Sequence, residues 1–158
     1  MELAEEIRNL IELKIEGDYW DFKEMWHDNK ASLLHDIICM ANNQLGRDAY
    51  IIIGVSDSRC QDGVKIKGVT GLRPPVYLQT ISLCDDDGIP RSVDVIIVKN
   101  SEKTPFFLVD NFRDRDKEIR AGYIYTRVGD TNTAIDSMAD MDKIEYLWRK
   151  RFGIDLSV

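Results

Sequence analysis

The sequence predicts a mixed α+β domain, with one sheet of about six strands and three or four helices. Three observations predict it. Residues 50–55, Tyr-Ile-Ile-Ile-Gly-Val, form an unbroken apolar run rich in β-branched side chains, the pattern of a central strand buried on both faces. Both ends of the chain carry apolar residues at helical spacing. Between residues 93 and 128, three more short apolar runs are separated by turn residues and read as strands.

In chain order, Leu3, Ile7, Leu10 and Ile11 define a helix over 2–13, with Glu2, Glu5 and Glu6 where the dipole favours anions. Tyr19 to Lys23 is short and aromatic and reads as a strand. Asp28-Asn29 can cap a helix over 30–42 whose Leu34, Ile38 and Ala41, flanked by Leu33 and Ile37, make a wide apolar stripe. The strand at 50–55 follows, with Val64 to Gly68 as a short partner. Pro74-Pro75 suits the first turn of a helix carrying Tyr77, Leu78, Ile81 and Cys84, ended by Asp85-Asp86-Asp87-Gly88. Val93–Val98, Pro105–Asp110 and Gly122–Val128 are the later strands. A last helix over 141–152 buries Met141, Ile144, Leu147 and Trp148; Arg149, Lys150 and Arg151 fill its final turn and Gly153 stops it.

The length of 158 residues fits one domain spanning 1–158. No apolar run approaches the roughly 20 residues of a membrane helix. The acidic start lacks the basic-then-apolar order of a signal peptide. Three widely spaced cysteines, Cys39, Cys60 and Cys84, make neither a disulfide framework nor a paired zinc motif, so a reducing, cytoplasmic setting is expected. Cys39 and Cys84 are expected in the core and Cys60 in an exposed loop. The net charge of −7 argues against a protein that coats nucleic acid by charge alone. Nine acids and three bases fall in residues 1–28, however, so the rest is close to neutral and leaves room for a local basic face.

The densest chemistry lies in Glu16-Gly17-Asp18-Tyr19-Trp20-Asp21-Phe22-Lys23. On a regular strand Glu16 and Asp21 would face opposite sides, so they converge only if the chain bends at Gly17-Asp18. Asp57 directly follows the apolar strand, and groups past the carboxyl end of a buried strand are where open sheets build sites. Glu16, Asp21 and Asp57 could together hold Mg²⁺ or Mn²⁺, with Lys23 beside a phosphate. The competing reading is a solvated acidic loop before an edge strand. His27 and His35 follow no triad or zinc spacing and read as surface or helix-face residues. Arg113, Arg115, Lys117, Arg120 and Arg127 form the richest basic region, interleaved with acids: a solvated hairpin or a phosphate-facing one. Lys65 and Lys67 share a strand face and would add to such a surface, as would Arg47. The polar stretches 42–49 and 111–121 are expected to open cheaply. No Walker motif is present, so no ATP site is supported.

Five segments in order carry a resemblance: Glu16 with Asp21-Phe22-Lys23; Met40-Ala41-Asn42-Asn43; Ile51 to Asp57; Lys67-Gly68; and Tyr125-Thr126-Arg127-Val128-Gly129-Asp130. Together they make the chain resemble the Schlafen AlbA-type domain family over residues 10–150. The chain departs from the family's pattern in three places. Its glycine pair is replaced by the longer Leu45-Gly46-Arg47-Asp48-Ala49, Asp21 stands where glutamate is usual, and Ser56 replaces one of two aspartates. The resemblance implies an endoribonuclease that uses a divalent cation at Glu16, Asp21 and Asp57 to cut structured RNA such as transfer RNA, with RNA a better partner than DNA. The alternative it implies is a non-catalytic DNA-binding module of a transcriptional regulator, standing alone, as a homo-oligomer or joined to further domains. The acidic first helix would also suit a protein-interaction domain.

Overall fold

The structure is a computed structural model and describes residues 2–57, 63–69 and 79–154. Its class is α+β, and the chain forms two compact units. The first comprises residues 1–26 and 50–97, the second 27–49 and 98–158.

The first unit is a four-stranded sheet faced by one helix. The helix α1 (Leu3–Glu12) buries Ile7, Leu10 and Ile11. The strands β1 (Trp20–Lys23), β2 (Ala49–Ile53), β3 (Gln79–Cys84) and β4 (Pro90–Val98) stand in the order β1-β2-β4-β3. β1 and β2 are parallel, with Trp20 opposite Tyr50 and Phe22 opposite Ile52; β3 and β4 are antiparallel. Strand alternation sorts the side chains. Trp20, Phe22, Tyr50, Ile52, Val93 and Val95 join the α1 stripe in one core. The other face carries Asp21 beside Ile51 and Lys23 beside Ile53. All five β2 residues are buried, as the apolar run predicts for an interior strand.

Residues 79–84 depart from expectation: they are strand, not helix. Asp87-Gly88 with its positive φ of 76° closes a hairpin between β3 and β4, so Cys84 is exposed on a strand. The predicted helix start at Pro74-Pro75 lies outside the described residues, as does Cys60. Residues 64–68 make a single bridge, Val55 to Ile66.

In the second unit, α2 (Lys30–Ala41) is capped by Asn29, whose side chain accepts from the N–H groups of Ala31 and Ser32. A hairpin of β5 (Phe112–Asp114) and β6 (Lys117–Ile119) packs on α2. It is tied there: Asn29 Nδ2 donates to the Asp114 carbonyl, Lys30 N to Asp114 Oδ2, and Arg115 to Asp28. The second two-stranded pair is β7 (Arg127–Val128) with β8 (Thr131–Asn132). The last helix, α3 (Met141–Phe152), buries Ile144 and Leu147 and ends on Gly153 in the left-handed conformation. Met141 and Trp148, expected in its buried stripe, are 77% and 36% exposed.

The expected single sheet of six strands is therefore one of four plus two small pairs. Residues 105–110 are not strand because a side chain serves them instead. Asn42 Oδ1 accepts from Phe106 N, while its Nδ2 donates to the carbonyls of Phe106 and Tyr125. Residues 122–126 are likewise held by side chains, Thr126 N donating to Thr133 Oγ1 and Tyr125 OH to the Ile135 carbonyl. The stretch 42–49, expected to open cheaply, holds two buried asparagines, Asn42 and Asn43, and is densely bonded. No helix among the described residues is long and apolar enough to cross a membrane.

Candidate nucleic-acid interface

The first unit brings the candidate residues to one end of the sheet through backbone bonds. The Lys23 carbonyl, at the end of β1, accepts from both Gly54 N and Val55 N just past β2. Gly54's own carbonyl accepts from Lys67 N and Gly68 N, and Ser56 N donates to the Lys65 carbonyl. Lys23, the 54–57 segment and the 64–68 segment thus lie side by side. Gly54, at φ 105°, allows this approach, since a Cβ there would stand 3.0 Å from the Gly68 carbonyl carbon.

Within 64–67 the alternation is clean. Val64 is buried in the core and Ile66 packs against it, so Lys65 and Lys67 project from the opposite side. Neither lysine has a side-chain partner among the described residues. Asp57 follows at the end of the same path and is half-buried.

The other two carboxylates are engaged locally. Gly17 N donates to the Trp20 carbonyl, folding 16–20 into a tight turn. That turn delivers Glu16 Oε1 to Phe22 N at 3.0 Å. Asp21, 4% exposed, holds Lys23 Nζ at 2.8 Å through Oδ2. The bend expected at Gly17 forms, but it sends Glu16 to the backbone of β1. Among the described residues no group of three His, Cys, Asp or Glu side chains is gathered so as to hold a metal ion.

In the second unit most of the arginines have local partners. Arg113 pairs with Glu118 at 3.2 Å. Arg115 pairs with Asp28 at 3.0 Å, and that hydrogen bond and charge hold its guanidinium protonated above the ordinary range. Arg120 donates to Tyr123 OH and lies over its ring. Arg47 is exposed and bonds the neighbouring Asp48 carbonyl. Arg127 is 1% exposed, and its guanidinium donates to Asn132 Oδ1, so it faces inward rather than toward a ligand.

Arg127 belongs to a buried polar network that the sequence did not reveal. Asn132 Nδ2 donates to Asp36 Oδ1, and His27 Nε2 lies 2.6 Å from Asp36 Oδ2. His35 Nε2 reaches the Thr133 carbonyl at 2.7 Å. Of the two histidines, expected on the surface or on a helix face, His35 lies on the buried face of α2 and His27 is half-buried. His27 and Asn132 hold the two oxygens of a carboxylate that burial would penalise if it were left without partners. Sequence spacing carries little signal here because Asn132 and Thr133, which bond Asp36 and His35, come from about a hundred positions on. Asp94 in the first unit is a second buried carboxylate missed from sequence, held by Trp26 Nε1 and Thr80 Oγ1.

The family model described as Schlafen, AlbA_2 matches residues 16–136, which include every segment just described. No protein with curated annotation matches the chain, nor does any solved structure.

Proposed function

The chain belongs to the Schlafen AlbA_2 family, whose domain suggests nucleic-acid binding, and from that premise we propose that it binds RNA in preference to DNA at the end of the first unit's sheet. The observation that carries this reading is the pair of unpartnered lysines, Lys65 and Lys67, projecting beside Lys23 and Asp57. Lysines so placed neutralise successive phosphates, and binding then depends on salt through the counterions released. The paired arginines of the second unit contribute less, because each already spends its charge on a neighbour.

The test is titration of fluorescent single-stranded RNA with the full chain at two salt concentrations. Weak, saturable binding is expected, with a logarithmic salt slope of roughly −1.5 for two phosphate contacts. Absence of saturable binding overturns the reading.

A second reading is hydrolysis of RNA at Glu16, Asp21 and Asp57 with Mg²⁺ or Mn²⁺, favoured by Asp57 standing just past β2. It requires Glu16 to give up Phe22 N and Asp21 to give up Lys23. Incubation of total RNA and of DNA with and without Mn²⁺ separates the two. Bound but unshortened RNA supports the first reading; fragments that need Mn²⁺ and vanish in Asp57→Ala install the second.

A further inference from the structure

Against the same end of the sheet lies a cleft of about 450 Å³ lined by Lys65, Lys67, Arg91 and the turn Asp85 to Asp87. That volume suits a nucleotide-sized group. The backbone builds it. Val69 N donates to the Ser92 carbonyl, and Gly68, at φ 81°, lies so close to β4 that a Cβ would meet that of Arg91 at 3.3 Å. Lys65 and Lys67 are thereby brought up to the β3–β4 turn.

The turn divides its three carboxylates by role. Asp85 is committed: Oδ1 accepts from Asp87 N and Ile89 N, and Oδ2 accepts from Arg91 Nε at 2.9 Å. Those bonds, the Ile89 N–H foremost and then Arg91, hold its carboxyl below the usual range. Asp86 and Asp87 have no side-chain partner among the described residues, and no ion pair joins them to Lys65 or Lys67. The cleft thus offers cations and strong hydrogen-bond acceptors that do not satisfy one another.

A ligand that satisfies both must carry an anion and a hydroxyl donor within one nucleotide's reach. A ribose-phosphate unit does so, and a deoxyribose unit lacks the donor. Resting on the RNA-binding reading, we infer that this cleft distinguishes RNA from DNA: Lys65 and Lys67 hold a phosphate while Asp86 or Asp87 accepts the adjacent 2′-hydroxyl. A deoxy strand offers these exposed carboxylates no donor and leaves them to water, so the discrimination is that of one added hydrogen bond.

The experiment compares single-stranded RNA, DNA and 2′-O-methyl RNA of one sequence by fluorescence anisotropy with the full chain. Wild type is expected to favour RNA over the other two by about three- to fivefold, the worth of one solvent-exposed hydrogen bond. Lys65→Ala with Lys67→Ala should weaken all three alike and keep the ratio. Asp86→Ala with Asp87→Ala should bring the RNA-to-DNA ratio near one, with circular dichroism confirming the fold of both variants. An unchanged ratio in the acid variant overturns the inference while leaving RNA binding in place, as does a lysine variant that binds like wild type. If wild type binds none of the three, the RNA-binding reading fails and this inference falls with it.

Discussion

A methyl group built on Gly17 would stand 2.2 Å from Cη2 of Trp20. Gly17 is therefore required by a ring lying flush on the backbone, since a positive φ is not what selects it. Gly17→Ala must displace the indole, whose Nε1 donates to the Ile15 carbonyl. We expect a loss of about 1–3 kcal/mol in urea unfolding, with Trp20 fluorescence altered in the folded state. Unchanged stability would show that the ring moves freely.

Asn42 is fully buried and makes three bonds to the backbone of residues 106 and 125. Asn42→Ala strands an N–H and two carbonyls and should cost about 2–4 kcal/mol. Asn42→Asp should cost more than alanine, because it sets a carboxylate against those two carbonyls. Thermal unfolding of both variants checks the order; aspartate as the milder change would contradict it.

Asp48 accepts from Asn100 N first and then pairs with Lys99, and Asp85 accepts from Ile89 N and pairs with Arg91, so each carboxyl sits below its ordinary value. A lowered folded pKa means stabilisation present above the unfolded value near 4 and lost as pH falls through the folded one. The thermal midpoint should drop below pH 4, and in Asp48→Asn that drop should be shallower. An identical acid profile in wild type and variant would sink the attribution.

Asp21 holds Lys23 at 2.8 Å. Asp21→Asn keeps the shape and removes a negative charge that opposes phosphate beside Lys23. RNA affinity should rise a few-fold with a steeper salt dependence. A weakened affinity would indicate that the carboxylate itself belongs to the site.

The sequence made the fold class legible where periodicity was strong: the α1 stripe, the β2 run, the Asn29 cap and the Gly153 stop all stand where spacing placed them. It failed at Gln79–Cys84, where Pro74-Pro75 suits a helix start but Asp87-Gly88 closes a hairpin onto the β-branched run Val93–Val98. It failed also at 105–110 and 122–126, whose apolar content is real but whose backbone is held partly by the Asn42 and Thr133 side chains and partly by isolated backbone bonds such as Gly122 N to the Leu108 carbonyl. Side chains doing the work of a neighbouring strand leave no periodic trace. In the candidate interface, the Val64-Lys65-Ile66-Lys67 alternation could be read directly. The commitment of Glu16 to Phe22 N could not, because it depends on how tightly a five-residue turn closes.

That commitment has a colloidal consequence. β1 is an outer strand, and the outer strand of a sheet offers spare backbone groups on which a second molecule can add, the route to fibres. Here the Trp20 carbonyl is taken by Gly17 N and the Phe22 N–H by Glu16. The chain uses its own preceding residues to occupy these two groups, so neither is offered to a second molecule. A substitution that frees the edge, such as Glu16→Ala, should reveal itself as concentration-dependent turbidity on storage before any change in the thermal midpoint.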